Sequence, residues 1–292
     1  MKLPRASFGV GVSAMVVSNL FFSLMAILIR LDPATNALDA SFYRFAVGIA
    51  LVATLAFLGK THLRFHDVRG LLWRGIVGGL SVVLYYLPIN TIGLGKTSLI
   101  QYTYPFFAIL FSAVLLKEKI TAWAWVLTAV ALSGLVLLNL PSLSSGKMDW
   151  MIAAAWGSAI ASGLAVTYVK KLTKTETSSA IFLAQSLGGF WIILIPANLN
   201  PSPWGWVPAL LLLSIGLTAA IGQLIMTWSY RSVDVSTGSL LGTMIPVLNV
   251  AAGILFFNES FNLMEAVGAT LTLSACVLLV VVQWDRNKVK SA

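Results

Sequence analysis

Apolar residues dominate this chain in long runs that short polar links interrupt. Ten runs stand out, at 8–30, 37–58, 70–91, 95–116, 121–140, 149–171, 178–198, 206–230, 234–257 and 262–284. A helix needs roughly 20 residues to cross a bilayer core, and each run is long enough or nearly so. The links carry the Pro, Asn, Asp, Lys and Arg residues, and none is long enough to hold a soluble domain. The first run follows Lys2 and Arg5, as a secretory signal would. A signal's apolar core is only about 7–15 residues and ends in a small-residue cleavage pattern. This run is longer and lacks that pattern, so it predicts a retained helix. Trp73, Trp123, Trp125, Trp150, Trp204, Trp206, Trp228 and Trp284 fall near run ends, where an amphipathic ring prefers to sit. Trp156 and Trp191 fall deeper.

Composition sharpens the class. The 292 residues are 58% hydrophobic and 10% charged. A soluble domain carries about 25% charged residues to cover its surface, so an integral membrane protein is expected. The single cysteine, Cys276, forms neither an internal disulfide nor a multi-cysteine metal cage. Net charge is +9, but the basic residues are scattered between apolar runs and build no basic face, so nucleic acid is not an expected partner.

Charge placement sets the orientation. One side carries Lys2, Arg5, Lys60, Arg64, Arg69, Arg74, Lys117, Lys119, Lys170, Lys171, Lys174, Arg231, Arg286, Lys288 and Lys290. The other carries Arg30, Lys96 and Lys147, and Arg44 lies inside a span. Positive residues concentrate on the cytoplasmic side, so both termini are predicted there, which an even span count requires. The expected location is a bacterial inner membrane.

The chain also resembles itself. Pro105 and Glu118 are 13 residues apart, Pro246 and Glu259 are 13 apart, and the pairs are offset by 141 residues. At that offset Ser98 meets Ser239, Leu99 meets Leu240, Ser133 meets Ser274, and Val136-Leu137-Leu138 meets Val277-Leu278-Leu279. This predicts an all-α membrane fold of ten transmembrane helices in two five-helix repeats, 1–141 and 142–292. Five is odd, so the second repeat enters from the opposite side and is inverted. Inverted repeats give two similar-energy arrangements with a binding site near the midplane.

Ten helices, the Arg44-Phe45 pair in span 2 and the duplicated Pro105…Glu118 and Pro246…Glu259 pattern resemble the drug/metabolite transporter superfamily, EamA-type branch. The resemblance spans essentially the whole chain. It implies efflux or uptake of small polar or amphipathic metabolites through a central cavity.

Candidate chemistry is sparse. Gly95-Lys96-Thr97 resembles the end of a phosphate loop, but the pattern needs Gly where Asn90 stands. His62 and His66 are four apart in a basic link with Asp67 the only nearby acid, too few ligands for a metal. No cofactor is therefore expected. Arg44 is a buried charge that either meets a substrate carboxylate or ties span 2 to neighbouring carbonyls or Asp39; the repeat places Gln185 at its equivalent. Ser98, Gln101, Pro105, Ala108 and Ser112 form one stripe of span 4, and Ser239, Gly242, Pro246, Asn249 and Gly253 its counterpart in span 9. Such stripes serve close packing or line an aqueous space; Gln101 and Asn249 need polar partners at depth either way. Asn19 and Ser23, Tyr85 and Tyr86, Trp156 and Ser162, and Gln223 join them as candidate lining residues. Pro105 and Pro246 are candidate hinges. Glu118 and Glu259 are read as caps of the turns after spans 4 and 9, with Glu259 and Glu265 as candidate proton sites.

These features predict a secondary transporter, an exporter by the resemblance, moving a small neutral, zwitterionic or amphipathic metabolite such as an amino acid. Partners are the substrate, lipid and, if coupled, protons; monomer and dimer stay open. A membrane-embedded enzyme or a non-transporting scaffold is the alternative, but an enzyme would cluster its acids, histidines or nucleophiles.

Overall fold

The computed structural model describes residues 7–31, 36–88, 91, 94–139, 150–199, 205–258 and 262–291. All regular structure among them is helical. The helices are α1 (Phe8–Leu31), α2 (Ala37–Phe57), α3 (Val68–Tyr86), α4 (Leu94–Gln101), α5 (Tyr104–Leu115), α6 (Ala122–Asn139), α7 (Trp150–Leu172), α8 (Ser178–Leu199), α9 (Trp206–Ser229), α10 (Val235–Gly242), α11 (Met244–Phe257) and α12 (Leu263–Ser291). Span 4 is α4 with α5, and span 9 is α10 with α11. Counted this way, nine described spans are long and apolar enough to cross a membrane, and α6 supplies a shorter apolar helix. The protein is an integral membrane protein of all-α class.

Helix starts follow short polar side chains that satisfy the free N–H groups of a first turn. Asn36 accepts from the Leu38 N–H, Asp67 from Gly70, Thr121 from Ala124, Thr177 from Ala180 and Asp234 from Thr237. Large apolar side chains point away from the bundle: Trp191, Leu199, Leu255 and Val207 are exposed, as a lipid-facing surface requires. Trp156 is also exposed. Within the bundle, small residues such as Ala159, Ala180, Ser158 and Ser186 are buried at helix crossings, where they let backbones approach closely, beside large core residues such as Phe45 and Tyr230.

The packing shows the duplication directly. Helix α1 lies on α9 and α11, while α7 lies on α3 and α5. Helix α2 packs on α8 and α9, and α8 packs on α2 and α3. Exchanging the two halves maps each of these contacts onto another in the set, or, for α2 with α8, onto itself. The match extends to residues. A Cβ added at Gly75 would meet the Ala184 carbonyl at 2.6 Å, and one at Gly216 the Tyr43 carbonyl at 2.8 Å. The two glycines differ by 141 residues, and so do Ala184 and Tyr43. Near the exchange axis α6 packs on α12, and the Thr272 hydroxyl donates to the carbonyl of its own equivalent, Ala131. Even a left-handed backbone is duplicated: Lys117 (φ 54°) and Asn258 (φ 51°) end spans 4 and 9.

Spans 4 and 9 are interrupted where the sequence predicts continuous runs. Pro105 has no N–H to give the Gln101 carbonyl, and Pro246 none to give that of Gly242. Those two residues end α4 and α10. The prolines themselves sit in the first turn of α5 and α11, so the bend lies at Tyr102–Thr103 and Thr243, just before them. Helix α3 ends at Tyr86, short of the predicted 91; Leu87 still donates to the Val83 carbonyl, and Pro88 then has no N–H to extend the ladder. Span 10 continues to Ser291.

Candidate functional site

The two interruptions are held by the opposite repeat. Gln101, last residue of α4, donates to the Ser162 hydroxyl of α7 at 2.7 Å and accepts from the Ser158 hydroxyl. Asn19 of α1 donates to the Leu241 carbonyl at the end of α10, at 2.8 Å. The Tyr104 hydroxyl crosses from span 4 to the Ser239 carbonyl of span 9. Two carbonyls near the end of α10, those of Ser239 and Leu241, thereby gain partners from the opposite repeat, as backbone at membrane depth requires.

Beside these junctions lies a cavity of about 180 Å³. Its wall includes Arg44 from α2, Arg74, Tyr85 and Tyr86 from α3, Gln101 from α4, Tyr102 and Tyr104 around the break, Ser162 from α7, Gln185 from α8, Gln223 from α9 and Asn249 from α11. Both repeats contribute. Arg44 donates to the Gln223 side-chain carbonyl at 3.0 Å and lies over the Phe22 ring. Arg74 donates to the Gln185 side-chain carbonyl. The Tyr85 hydroxyl pairs with Ser98 at 2.9 Å. The Asn249 side-chain oxygen is buried and has no hydrogen-bond partner. Cavities that bind drug-sized ligands run to about 300–1,000 Å³, so this one suits a smaller solute.

Of the lining residues expected from sequence, Arg44, Tyr85, Tyr86, Gln101, Gln223 and Asn249 meet here. Asn19 is buried outside the wall, bonded to the α10 terminus instead. Trp156 lies on the outer face of α7, edge-on to Phe107, because Ser158 and Ser162 take the inner face. Glu265 forms a reciprocal capping box with Asn262 at the start of α12, away from the wall. Glu259 and the side chain of Lys96 lie outside the described residues. His62 and His66 sit in a non-helical link, and no metal-holding cluster occurs among the described residues.

Arg74 belongs to the cavity, a place the sequence reading does not give it. Its place near a basic link assigns it to the cytoplasmic set, but it is 2% exposed and lies in the cavity wall. The signal was present: Arg74 interrupts an apolar run in the same way as Arg44. A charge at a span centre costs about 2.5–3.5 kcal/mol or more, so such a residue is a functional candidate.

The predicted cytoplasmic end of the bundle is tied by charges. The Lys170 ammonium donates to the Tyr230 and Val233 carbonyls at 2.8 and 2.6 Å. Glu176 is fully buried and accepts from the His66 and Asp67 N–H groups, joining the 2–3 and 6–7 links. The Gly70 N–H, helped by Lys171, holds Asp67 below its ordinary value despite some burial. Burial lowers the pKa of Arg231. Glu118 reaches the α10 terminus of the other repeat while also meeting Ser112 near the end of its own span. Burial and nearby Asp234 raise its pKa, against the pull of Lys170, the Val235 N–H and the Ser112 hydroxyl.

Comparison with known proteins gives a consistent identity. The EamA-like transporter family matches twice, at residues 9–140 and 149–281. The chain is 29% identical to the pseudopaline exporter of Pseudomonas aeruginosa over 92% of this chain and 95% of that one. It is 26% identical to a riboflavin transporter of Rhizobium johnstonii, over 92% and 90% of the two chains. It is 23% identical to human solute carrier family 35 member G1, over 96% and 81%. One crystal structure superposes with a TM-score of 0.79 at 16% identity, covering 93% of this chain and 98% of that one, which establishes the shared fold. With two matches that together span nearly all of its spans, this chain belongs to the EamA-like transporter family.

Proposed function

We propose that this transporter exports a small neutral, zwitterionic or amphipathic metabolite such as an amino acid across a bacterial inner membrane, by alternating access. Both termini face the cytoplasm in this reading, and the repeats 1–141 and 142–292 rock against each other. One observation carries it: a small, largely apolar cavity, set with amides and two arginines, where the broken spans of both repeats meet. The bends before Pro105 and Pro246 supply matched hinges, so a shift at one break has an equivalent at the other. Outward direction draws on the similarity to an exporter. The relatives' names point to two different cargoes, pseudopaline and riboflavin, and so do not choose a substrate.

Counterflow in proteoliposomes with a metabolite panel tests this reading, with and without a proton gradient. Saturable exchange of at least one small solute is expected. Gln101→Ala and Asn249→Ala should cut exchange by the folded protein severalfold. Trp125→Ala, whose ring packs on Phe106 outside the cavity wall, should leave it near wild type. Equal losses in all three would show a stability effect and contradict the site.

A further inference from the structure

The cavity wall holds two arginines and no acid. Arg44 and Arg74 line the same space and repel one another, and no Asp or Glu is among the described lining residues. Each guanidinium is met by a glutamine, Gln223 and Gln185. A glutamine satisfies a hydrogen bond and leaves the charge uncompensated. The Arg74 Nε is buried with no hydrogen-bond partner at all. The acids near the ends of the bundle are engaged elsewhere. Asp234 caps α10, and Glu176 binds the 2–3 link. Glu118 sits beside the α10 terminus. An unpaired buried charge is costly, and no described lining residue supplies its counter-charge, which points to a bound anion as the source.

We infer that the transported solute is an organic carboxylate whose anionic group Arg44 and Arg74 clamp. This rests on the transport reading above and narrows its substrate to one class. A guanidinium presents a planar fork of N–H donors that matches a carboxylate better than it matches a spherical ion. Much of the remaining wall is apolar, with Phe22, Tyr85, Tyr86 and Tyr102 among aliphatic side chains, which suits an apolar or planar body attached to that carboxylate. Gln185 and Gln223 act as positioning residues that hold each fork without neutralising it.

Paired probes test the assignment: phenylacetate against phenylacetamide, and indole-3-acetate against indole-3-acetamide. Melting of the purified full chain is followed by each probe, with sodium chloride alone as a further arm, and counterflow is run on the same solutes. Carboxylates should stabilise the protein and their amides should not. Arg74→Gln and Arg44→Gln should each weaken carboxylate binding about tenfold or more. In case those variants fail to fold, Gln185→Glu provides an internal counter-ion beside Arg74; it should melt no lower than wild type and lose most of the carboxylate response. Equal response to acid and amide, a response to chloride alone, no response to any probe, or an undiminished response in Gln185→Glu would overturn the carboxylate assignment. Exchange of a neutral solute in counterflow would then leave the transport reading standing. A carboxylate-specific shift with no exchange of any solute would instead defeat that reading and keep the anion site.

Discussion

Single residues carry most of the site's chemistry. Glu118 is the clearest pH reporter outside the membrane spans. The folded protein holds its proton more tightly than the ordinary value of 4.5. Its contribution to stability is therefore full below that value and falls as pH rises through the raised folded value. Glu118→Gln should remove this slope, so that the variant melts at or above wild type on the alkaline side of the transition. A melting series against pH checks it, and an unchanged slope would mean that another group titrates there. Legibility at this scale followed chemical rarity. Arg44, Gln101 and Asn249 stand out because charges and amides are scarce in apolar runs. Arg74 does not stand out as a lining residue because only six residues separate it from the polar Asp67, and sequence distance does not show burial. Trp156 was misplaced because a ring tolerates lipid and cavity equally, and only packing against Phe107 settles its face.

Elements follow from spacing, and their breaks from proline. The run pattern predicts ten spans, but a run of apolar residues does not show where backbone hydrogen bonding stops. Two of those spans are half-helices in the folded chain, and the missing N–H groups of Pro105 and Pro246 explain where they part. Helix crossings depend on glycines that no run pattern reveals. Gly75 faces the Ala184 carbonyl and Gly216 the Tyr43 carbonyl, so a side chain at either position forces two helices apart. Gly75→Val and Gly216→Val should each destabilise the protein by about 1–3 kcal/mol, the usual range for overpacking. The two losses should be similar, since the sites are equivalent. Thermal unfolding in detergent measures this; one tolerated and one severe substitution would contradict the equivalence of the crossings.

At the scale of the whole molecule, duplication organises everything else. The 141-residue offset read from two prolines and two glutamates reappears in helix contacts, glycine crossings and left-handed turns. The sequence could not show that nearly all of the strong contacts join one repeat to the other, because connectivity does not dictate which helices touch. Charge placement predicts the orientation: on a Cys276→Ser background, Lys174→Cys, whose native side chain is exposed, should react with impermeant thiol reagent from the cytoplasmic side only. The central claim is that the cavity between the repeats opens to each side in turn. Ser162 lines that cavity, and cysteine closely matches serine in size. Ser162→Cys, again without Cys276, should be modified by impermeant reagent applied to either face of sealed vesicles. Modification from one face alone under every condition would contradict alternating access through this site.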